Sequence, residues 1–334
     1  MHASDSEPGA NIVPESAPPA VRLACAAMGT RFEFVLPMEQ GPEAQFTPSE
    51  LRGVAEEAIG EILSLHTKLS WFSPTSLLNL VNARAAEQPV PIDRDSMALL
   101  QLCQEIHEAS EGAFDPTVAP LLEYWGFRLG PRAVHTQTEP LEHVRERVGF
   151  GLVALDPENG TVAFLKRGVS LDLGSVAKGW ALDEAGTILR ARGISRALVH
   201  GGTSSVLAIG VSPNGPWRVA LALPPQVEGP DCPRAVVSLQ DSSLSVSAPH
   251  GRVVESPTGV LGHVIDPRRG EPARGALLAC AIAPSAAATD AWSTAMLVCA
   301  ERPVGMQAQT TSLILNGERR WQVEGPLRSE ISWV

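Results

Sequence analysis

Lysine is nearly absent from this chain: Lys68, Lys166 and Lys178 are the only three, against 23 arginines in 334 residues. A GC-rich genome is the first explanation, but the scarcity makes Lys178, inside a glycine-serine motif, stand out. The formal net charge is −11, which excludes a general affinity for nucleic acid or an anionic membrane. An anionic ligand has to be held by local features: backbone N–H groups, a metal ion or a few placed cations. No run of 18 or more apolar residues exists, so no transmembrane helix is expected. Cys25, Cys103, Cys232, Cys280 and Cys299 form no CxxC pair, which argues against a zinc site. An odd, unpatterned count fits a reducing compartment, and Cys280 and Cys299 sit in apolar runs as small core residues. Residues 1–20 lack the apolar core of a signal peptide and read as a Pro- and Ser-rich disordered leader. No hydrophobic run precedes Cys25, so no lipid anchor is visible. A chain that starts natively at Met1 is then expected in the cytoplasm; one trimmed of an export signal belongs in the periplasm.

The composition, 44% apolar with a mean hydropathy near zero, is that of an ordinary globular protein with a real core. No internal repeat and no linker divides it, so residues 21–334 read as a single domain. Alternation over 31–36 predicts a strand, and helical spacing over 48–68, with Thr47 before Pro48, predicts a capped helix. Further helices are expected at 95–110, around 140–148, at 177–192 and at 289–300, the last apolar nearly all round and therefore buried. Segments 152–155 and 161–165 flank Asn159-Gly160, a hairpin signal. Strands are expected at 169–173, 197–199, 205–210, 217–223, 235–239 and 244–247. Edge strands are expected at 312–316, 321–323 and 331–334. Helices set between runs of neighbouring strands predict a mixed α+β fold.

Five segments carry polar groups suited to chemistry, each with a plain structural alternative. In Leu171-Asp-Leu-Gly-Ser-Val-Ala-Lys-Gly-Trp180 an apolar segment turns through Gly174 and Ser175 into a helix. Free N–H groups there, with Lys178, suit a pyrophosphate; an ordinary strand-turn-helix connection suits the pattern too. It is neither a P-loop nor a GxGxxG fingerprint. Asp290 and Thr294 stand at i and i+4 on one helix face, with oxygen atoms suited to Mg²⁺. Alternatively Asp290 caps the helix and Thr294 bonds back to a carbonyl. Gly262-His-Val-Ile-Asp-Pro267 offers His263 as a base, with Asp266 to assist it, or a strand followed by a turn. Gly201 and Gly202 permit close approach of a ligand, or only a tight turn. The segment Gly112-Ala-Phe-Asp-Pro-Thr117 and the rings after it suit a planar cofactor, or the core.

Together, and in this order, the segments resemble the FAD:protein FMN transferase family, also called ApbE-like. The likeness rests on Met28-Gly-Thr30, Leu69-Ser-Trp-Phe72 with Leu80-Val-Asn82, Gly112–Thr117, Asp172–Gly179, His200-Gly-Gly202, His263-Val-Ile-Asp-Pro267, and Asp290 with Thr294. It covers about four-fifths of the chain. The resemblance implies a mixed α/β fold related to the T-fold, with two lobes around a flavin-binding cleft. It implies a metal held by the Ala177 carbonyl, Asp290 and Thr294, and His263 as base or catalytic assistant with Asp266 beside it. Lys178, Gly174 and Ser175 match the diphosphate region. Met28, Ser70, Asn82, Asp115, Thr117, Asp172, Gly201 and Gly202 fall in its cofactor-binding segments.

The implied reaction is Mg²⁺-dependent: the FMN half of FAD passes to a Ser or Thr hydroxyl of an acceptor protein, and AMP leaves. The partners are then FAD and an acceptor flavoprotein, with no nucleic acid and no visible membrane anchor. A Mg²⁺-dependent FAD pyrophosphatase giving FMN and AMP, or a non-catalytic flavin-binding protein, would use the same residues. The chain departs from the family pattern in two places. Thr203-Ser204 follow the paired glycines where many members carry Asp. Ser245-Val-Ser-Ala-Pro-His250 stands where Thr-Ser-Gly-Asp-Tyr is common, so that either His250 supplies a ring in place of the tyrosine or the pocket differs. Trp71, Phe72, Phe114, Tyr124 and Trp125 are the candidates to stack on the isoalloxazine.

Overall fold

The computed structural model describes residues 10–12, 19–39, 44–128, 139–224, 227, 229, 232–249, 253–256 and 259–334. Its centre is an eight-stranded sheet of β1 (Ala20–Ala27), β2 (Thr30–Pro37), β3 (Ala197–Gly201), β4 (Ser205–Ile209), β5 (Ser242–Ser247), β6 (Ala276–Ala283), β7 (Thr311–Asn316) and β8 (Trp321–Glu324). The strands lie side by side in chain order and every neighbouring pair is antiparallel. Most other elements are excursions between adjacent strands of this meander; Ala10–Ile12 precedes it and Ile331–Trp333 follows it. The longest, between β2 and β3, carries α1 (Pro48–Lys68), α2 (Leu77–Arg84), α3 (Arg94–Ala109), α4 (Ala119–Tyr124), α5 (Leu141–Arg145) and α6 (Ala177–Ala191). Between β6 and β7 lies α7 (Ala286–Cys299).

Both faces of the sheet are covered. Phe32, Phe34 and Leu36 of β2 turn to α1 and α6, whereas Val35 turns the other way. The far face, with Leu244, Val246, Leu278, Cys280 and Ile282, packs on a four-stranded sheet of Ala10–Ile12, Trp217–Leu221, Ala235–Leu239 and Ile331–Trp333. A strand buried on both faces shows no alternation of apolar and polar residues. This is why β6, Ala-Leu-Leu-Ala-Cys-Ala-Ile-Ala, carries no strand signal in its sequence. Burying each Phe or Leu of this core stabilises by about 1.5–3 kcal/mol.

Local signals account for the helices. Thr47 and Glu50 close a reciprocal capping box on α1 (Glu50 N–H to Thr47 Oγ1, 3.3 Å; Thr47 N–H to Glu50 Oε2, 2.7 Å). Its buried residues, Leu51, Ala55, Ala58, Ile62 and Leu65, recur at helical spacing. The Asn159-Gly160 turn joins Val153–Asp156 to Thr161–Phe164 as expected, with Gly160 at φ +64°.

Several expectations are corrected. Residues 169–173 form no strand, because other groups satisfy the backbone there. Asn82 bonds both sides of Leu171 (Nδ2 to Leu171 O, 3.0 Å; Leu171 N–H to Oδ1, 2.8 Å), and Asp172 N–H donates to Pro116 O at 2.6 Å. The last long helix begins at Ala286, with Ser285 as its cap, so Asp290 lies in its second turn and does not cap it. Residues 312–316 form an inner strand rather than an edge, since β8 pairs beyond them. His263 and Ile265 do not share a strand. Two short strands, Gly259–Gly262 and Ile265–Asp266, flank a bend at His263. The expected leader contains a strand: Ala10–Ile12 pairs with the otherwise open edge of Trp217–Leu221. Its other residues before 19, and His250, lie outside the described residues.

Candidate active site

A cleft of about 450 Å³ opens among the β1–β2 turn, the end of α1, the loop before α2, the 113–118 and 172–178 segments, the start of the 263–267 turn and α7. That volume suits a cofactor-sized ligand. Eleven of the sequence-predicted residues line it: Met28, Ser70, Asp115, Asp172, Gly174, Ser175, Ala177, Lys178, His263, Asp290 and Thr294.

Asp290 is the best-fixed of these. It is 4% exposed. Its Oδ2 accepts the Gly179 N–H at 2.9 Å and its Oδ1 accepts the Ser205 hydroxyl at 2.7 Å. Lys178 Nζ stands 3.8 Å from Oδ2. The strand β5 turns Ser245 and Ser247 towards α7, giving a ladder of hydroxyls: Ser245 Oγ to Thr289 Oγ1 at 2.9 Å, and Ser247 Oγ to Ser293 Oγ at 2.8 Å. The Thr294 hydroxyl donates to the Asp290 carbonyl at 3.2 Å, which leaves oxygen lone pairs for another ligand.

The N-terminus of α7 is tied to α6 by a residue the sequence reading passed over. Asp183 accepts the N–H groups of Ala286 (2.8 Å) and Ala287 (2.9 Å) and the Ser285 hydroxyl (2.8 Å). Burial raises its carboxyl pKa against the pull of those bonds. Its only sequence signal was an acid on the expected helix 177–192.

Asp115 lines the cleft with its carboxylate already engaged, and Thr117, fully buried, stands behind it outside the lining. Asp115 Oδ1 accepts both the N–H (2.7 Å) and the hydroxyl (2.6 Å) of Thr117, and Thr117 Oγ1 accepts the Gly149 N–H at 2.7 Å. Burial raises the pKa of Asp115, opposed by His107, whose Nδ1 lies 3.3 Å from Oδ2. Met28, at φ +50°, gives its N–H to His66 Nδ1 at 3.1 Å. His66 lines the cleft although no motif pointed to it.

Other expected residues stand outside the cleft. Asn82 acts on the Leu171 backbone. Gly201 and Gly202 answer to internal packing: a Cβ on Gly201 would meet the Phe32 ring at 2.8 Å, and one on Gly202, at φ +64°, would meet Thr30 Oγ1 at 2.2 Å. Thr203 and Ser204, immediately after them, do line the cleft. Asp266 is not set to assist His263, because its carboxylate accepts the N–H, Nε and Nη2 of Arg268 (3.0, 3.0 and 3.1 Å) and closes the turn. Of the candidate rings, Trp71, Phe72 and Phe114 line the cleft. Tyr124 and Trp125 do not; they pack edge to face at 5.4 Å, and Trp125 Nε1 donates to Gly270 O at 2.7 Å. Phe127, one of the rings following the 112–117 segment, lines it as well, and so does Arg128, which no motif pointed to.

The charged lining of the described residues consists of Asp115, Asp172 and Asp290 against Arg128 and Lys178. A diphosphate entering this cleft meets a deficit of positive charge. A hard divalent cation beside the Asp290 carboxylate, with neutral oxygens from Thr294 and the Ala177 carbonyl, would reverse that deficit. The donor set therefore fits Mg²⁺.

Comparison with known proteins bears on the fold and the family. The profile of the ApbE family matches residues 28–312. The FAD:protein FMN transferase of Klebsiella pneumoniae (strain 342) is 30% identical over 236 residues, which are 69% of this chain and 66% of that protein. The protein of the same name from Rhodobacter capsulatus is 32% identical over 246 residues, 71% of this chain and 45% of its own length. The match thus spans under two thirds of either relative. Among solved structures, the ApbE protein of Thermotoga maritima superposes with a TM-score of 0.78 at 26% identity, covering 92% of this chain and 97% of that one. The Vibrio cholerae flavin transferase ApbE shares the fold, with a TM-score of 0.74 at 22% identity over 91% of this chain and 97% of its own. With the family profile covering residues 28–312, most of its length, this chain belongs to the ApbE family.

Proposed function

We propose that this protein transfers the FMN half of FAD onto a Ser or Thr hydroxyl of an acceptor protein, with Mg²⁺ as cofactor and AMP as the leaving group. The observation that carries the reading is the buried Asp290 carboxylate, fixed by Gly179 and Ser205 and lining a cofactor-sized cleft with Lys178, Thr294 and His263. The names of the relatives support the reaction class.

In this reading Asp290, Thr294 and the Ala177 carbonyl hold the metal, which when bound would neutralise the diphosphate and polarise its phosphorus. Lys178 balances the negative charge next to Asp290. A serine or threonine hydroxyl is a poor nucleophile, so a base must take its proton; His263, in the cleft wall, fills that role. The new bond joins the acceptor oxygen to the FMN-side phosphorus. The bond from that phosphorus to the bridging oxygen breaks, and AMP carries the bridging oxygen away. Asp266 acts one step back, locking the turn that carries His263.

The test is incubation of the purified protein with FAD and Mg²⁺, following AMP and FMN with and without an acceptor protein. AMP formed only with acceptor, together with a gain of one FMN mass on it, is the expected result. AMP with free FMN and no acceptor would replace the transferase by a pyrophosphatase. Bound FAD with no AMP in either condition, across a panel of acceptors, would leave a flavin-binding protein.

A further inference from the structure

Arg128 stands where three walls of the cleft meet. It directly follows the segment whose Leu122 and Phe127 line the cleft. Its guanidinium carbon lies 3.8 Å from the centroid of the Trp71 ring, which belongs to the loop before α2. Its Nη2 pairs with the Asp172 carboxylate, at the head of the turn leading to Lys178, and the Arg128 side chain is only 9% exposed. Asp172 is itself anchored, accepting the Gly174 N–H at 2.7 Å and donating its own N–H to Pro116 O at 2.6 Å. A guanidinium stacked on an indole by one face and tied to an anchored carboxylate at one edge is held in a fixed plane. Fixed planar forks of this kind recognise phosphate oxygens with directional, charge-assisted hydrogen bonds, which a mobile ammonium does not reproduce.

The charges of the cleft divide the work. Lys178 lies against Asp290, where the metal is proposed to bind. Arg128 is the other fixed cation of the described lining, and it pairs with Asp172 at the head of the turn that leads to Lys178. A cation this buried is costly to keep unless it serves packing, a ligand or both. Packing alone, with Arg128 as a strut between Trp71 and Asp172, is the competing account.

We propose that Arg128 is a phosphate-recognition residue of the flavin-nucleotide site, through which the protein discriminates FAD and FMN from riboflavin. This rests on the reading of FAD as substrate. The two accounts differ in one observable. Loss of a strut weakens every flavin alike, whereas loss of a phosphate contact spares riboflavin, which has no phosphate.

Calorimetric titration of the full chain with FAD, FMN and riboflavin, in Mg²⁺ and without acceptor, tests it on the unsubstituted protein, Arg128→Gln and Arg128→Lys. Arg128→Gln is expected to weaken FAD and FMN by about 10- to 100-fold, the range for a lost charge-assisted hydrogen bond. Its affinity for riboflavin should shift by less than about twofold, within the scatter of a contact not made. Arg128→Lys, which keeps the charge and loses the fork, should fall between and provides the measurement if the Gln variant does not fold. Equal weakening of all three flavins, or no weakening, overturns the assignment. Failure of the unsubstituted protein to bind any flavin would remove the functional reading and this inference with it. Normal FAD binding and AMP release beside an unaffected Arg128→Gln removes Arg128 alone.

Discussion

Asp290 shows how little of a residue's role its position in the sequence reveals. As a lone acid on an apolar helix it suits capping as well as metal binding, but Ser285 and Asp183 serve the helix end and release it for the cleft. Asp290→Ala should abolish metal-dependent AMP release. It should also lower the melting temperature, since the Gly179 N–H and Ser205 hydroxyl are left without an acceptor at about 1–3 kcal/mol each. Asp290→Asn, which keeps an oxygen for one of them, should lose the Mg²⁺ response at a smaller cost in stability. A Mg²⁺ titration of AMP release and a thermal melt on each variant separate the two effects; an intact Mg²⁺ response in either variant would sink the metal assignment. For His263 the expected effect is on the rate. His263→Ala should slow turnover by roughly 10²–10⁴ with FAD affinity little changed, as expected for a missing general base. Steady-state rates beside equilibrium FAD binding would show this, and an unchanged rate would remove His263 from the chemistry.

At the scale of the element, the site depends on how closely α6 and α7 approach. A Cβ on Gly179 would lie 2.1 Å from the Ala286 carbonyl oxygen. That contact brings the Gly179 N–H within reach of Asp290, so a glycine that reads as part of a phosphate motif is equally a helix-packing residue. Gly179→Ala should cost about 1–3 kcal/mol through overpacking, and it should weaken Mg²⁺ dependence by shifting α7. A variant as stable and as active as the parent would refute the close approach. The helix α3 offers a control far from the chemistry. Burial pushes the Asp93 carboxyl up, but the N–H and hydroxyl of Ser96 and the Lys68 ammonium outweigh it, and its pKa is lowered. The stability this cap supplies is fully present above the ordinary carboxylate pKa and is lost as pH falls through the lowered folded value. Asp93→Ala should therefore cost about 0.5–2 kcal/mol at neutral pH. The gap from the parent should narrow below about pH 4. Denaturant unfolding at the two pH values would check the sign.

Across the whole molecule, a ligand that binds only the folded state stabilises it by mass action. FAD at about one hundred times its dissociation constant should add about 2.7 kcal/mol, and chelation of Mg²⁺ should remove most of the gain in melting temperature. An increment unchanged by chelator would argue that the diphosphate is held without metal. No helix among the described residues is long and apolar enough to cross a membrane, as the apolar-run pattern predicted. Capping signals, helical spacing and the Asn-Gly turn were legible because each is a local matter of backbone donors and side-chain periodicity. The double-sided strand β6 was not, nor was the absence of a strand at 169–173, since both depend on partners distant in sequence. The same division holds for the cleft. Motif order alone was enough to point to the family and to eleven of its lining residues. Only the tertiary structure separated Asp290, held ready by Gly179 and Ser205, from Asp266, tied up by Arg268, and from Gly201 and Gly202, which are needed for packing against Phe32 and Thr30. It alone brought Arg128 onto Trp71 and Asp172. The sequence determines which groups are available; which of them face the cleft follows from long-range packing and from which hydrogen bonds are already taken.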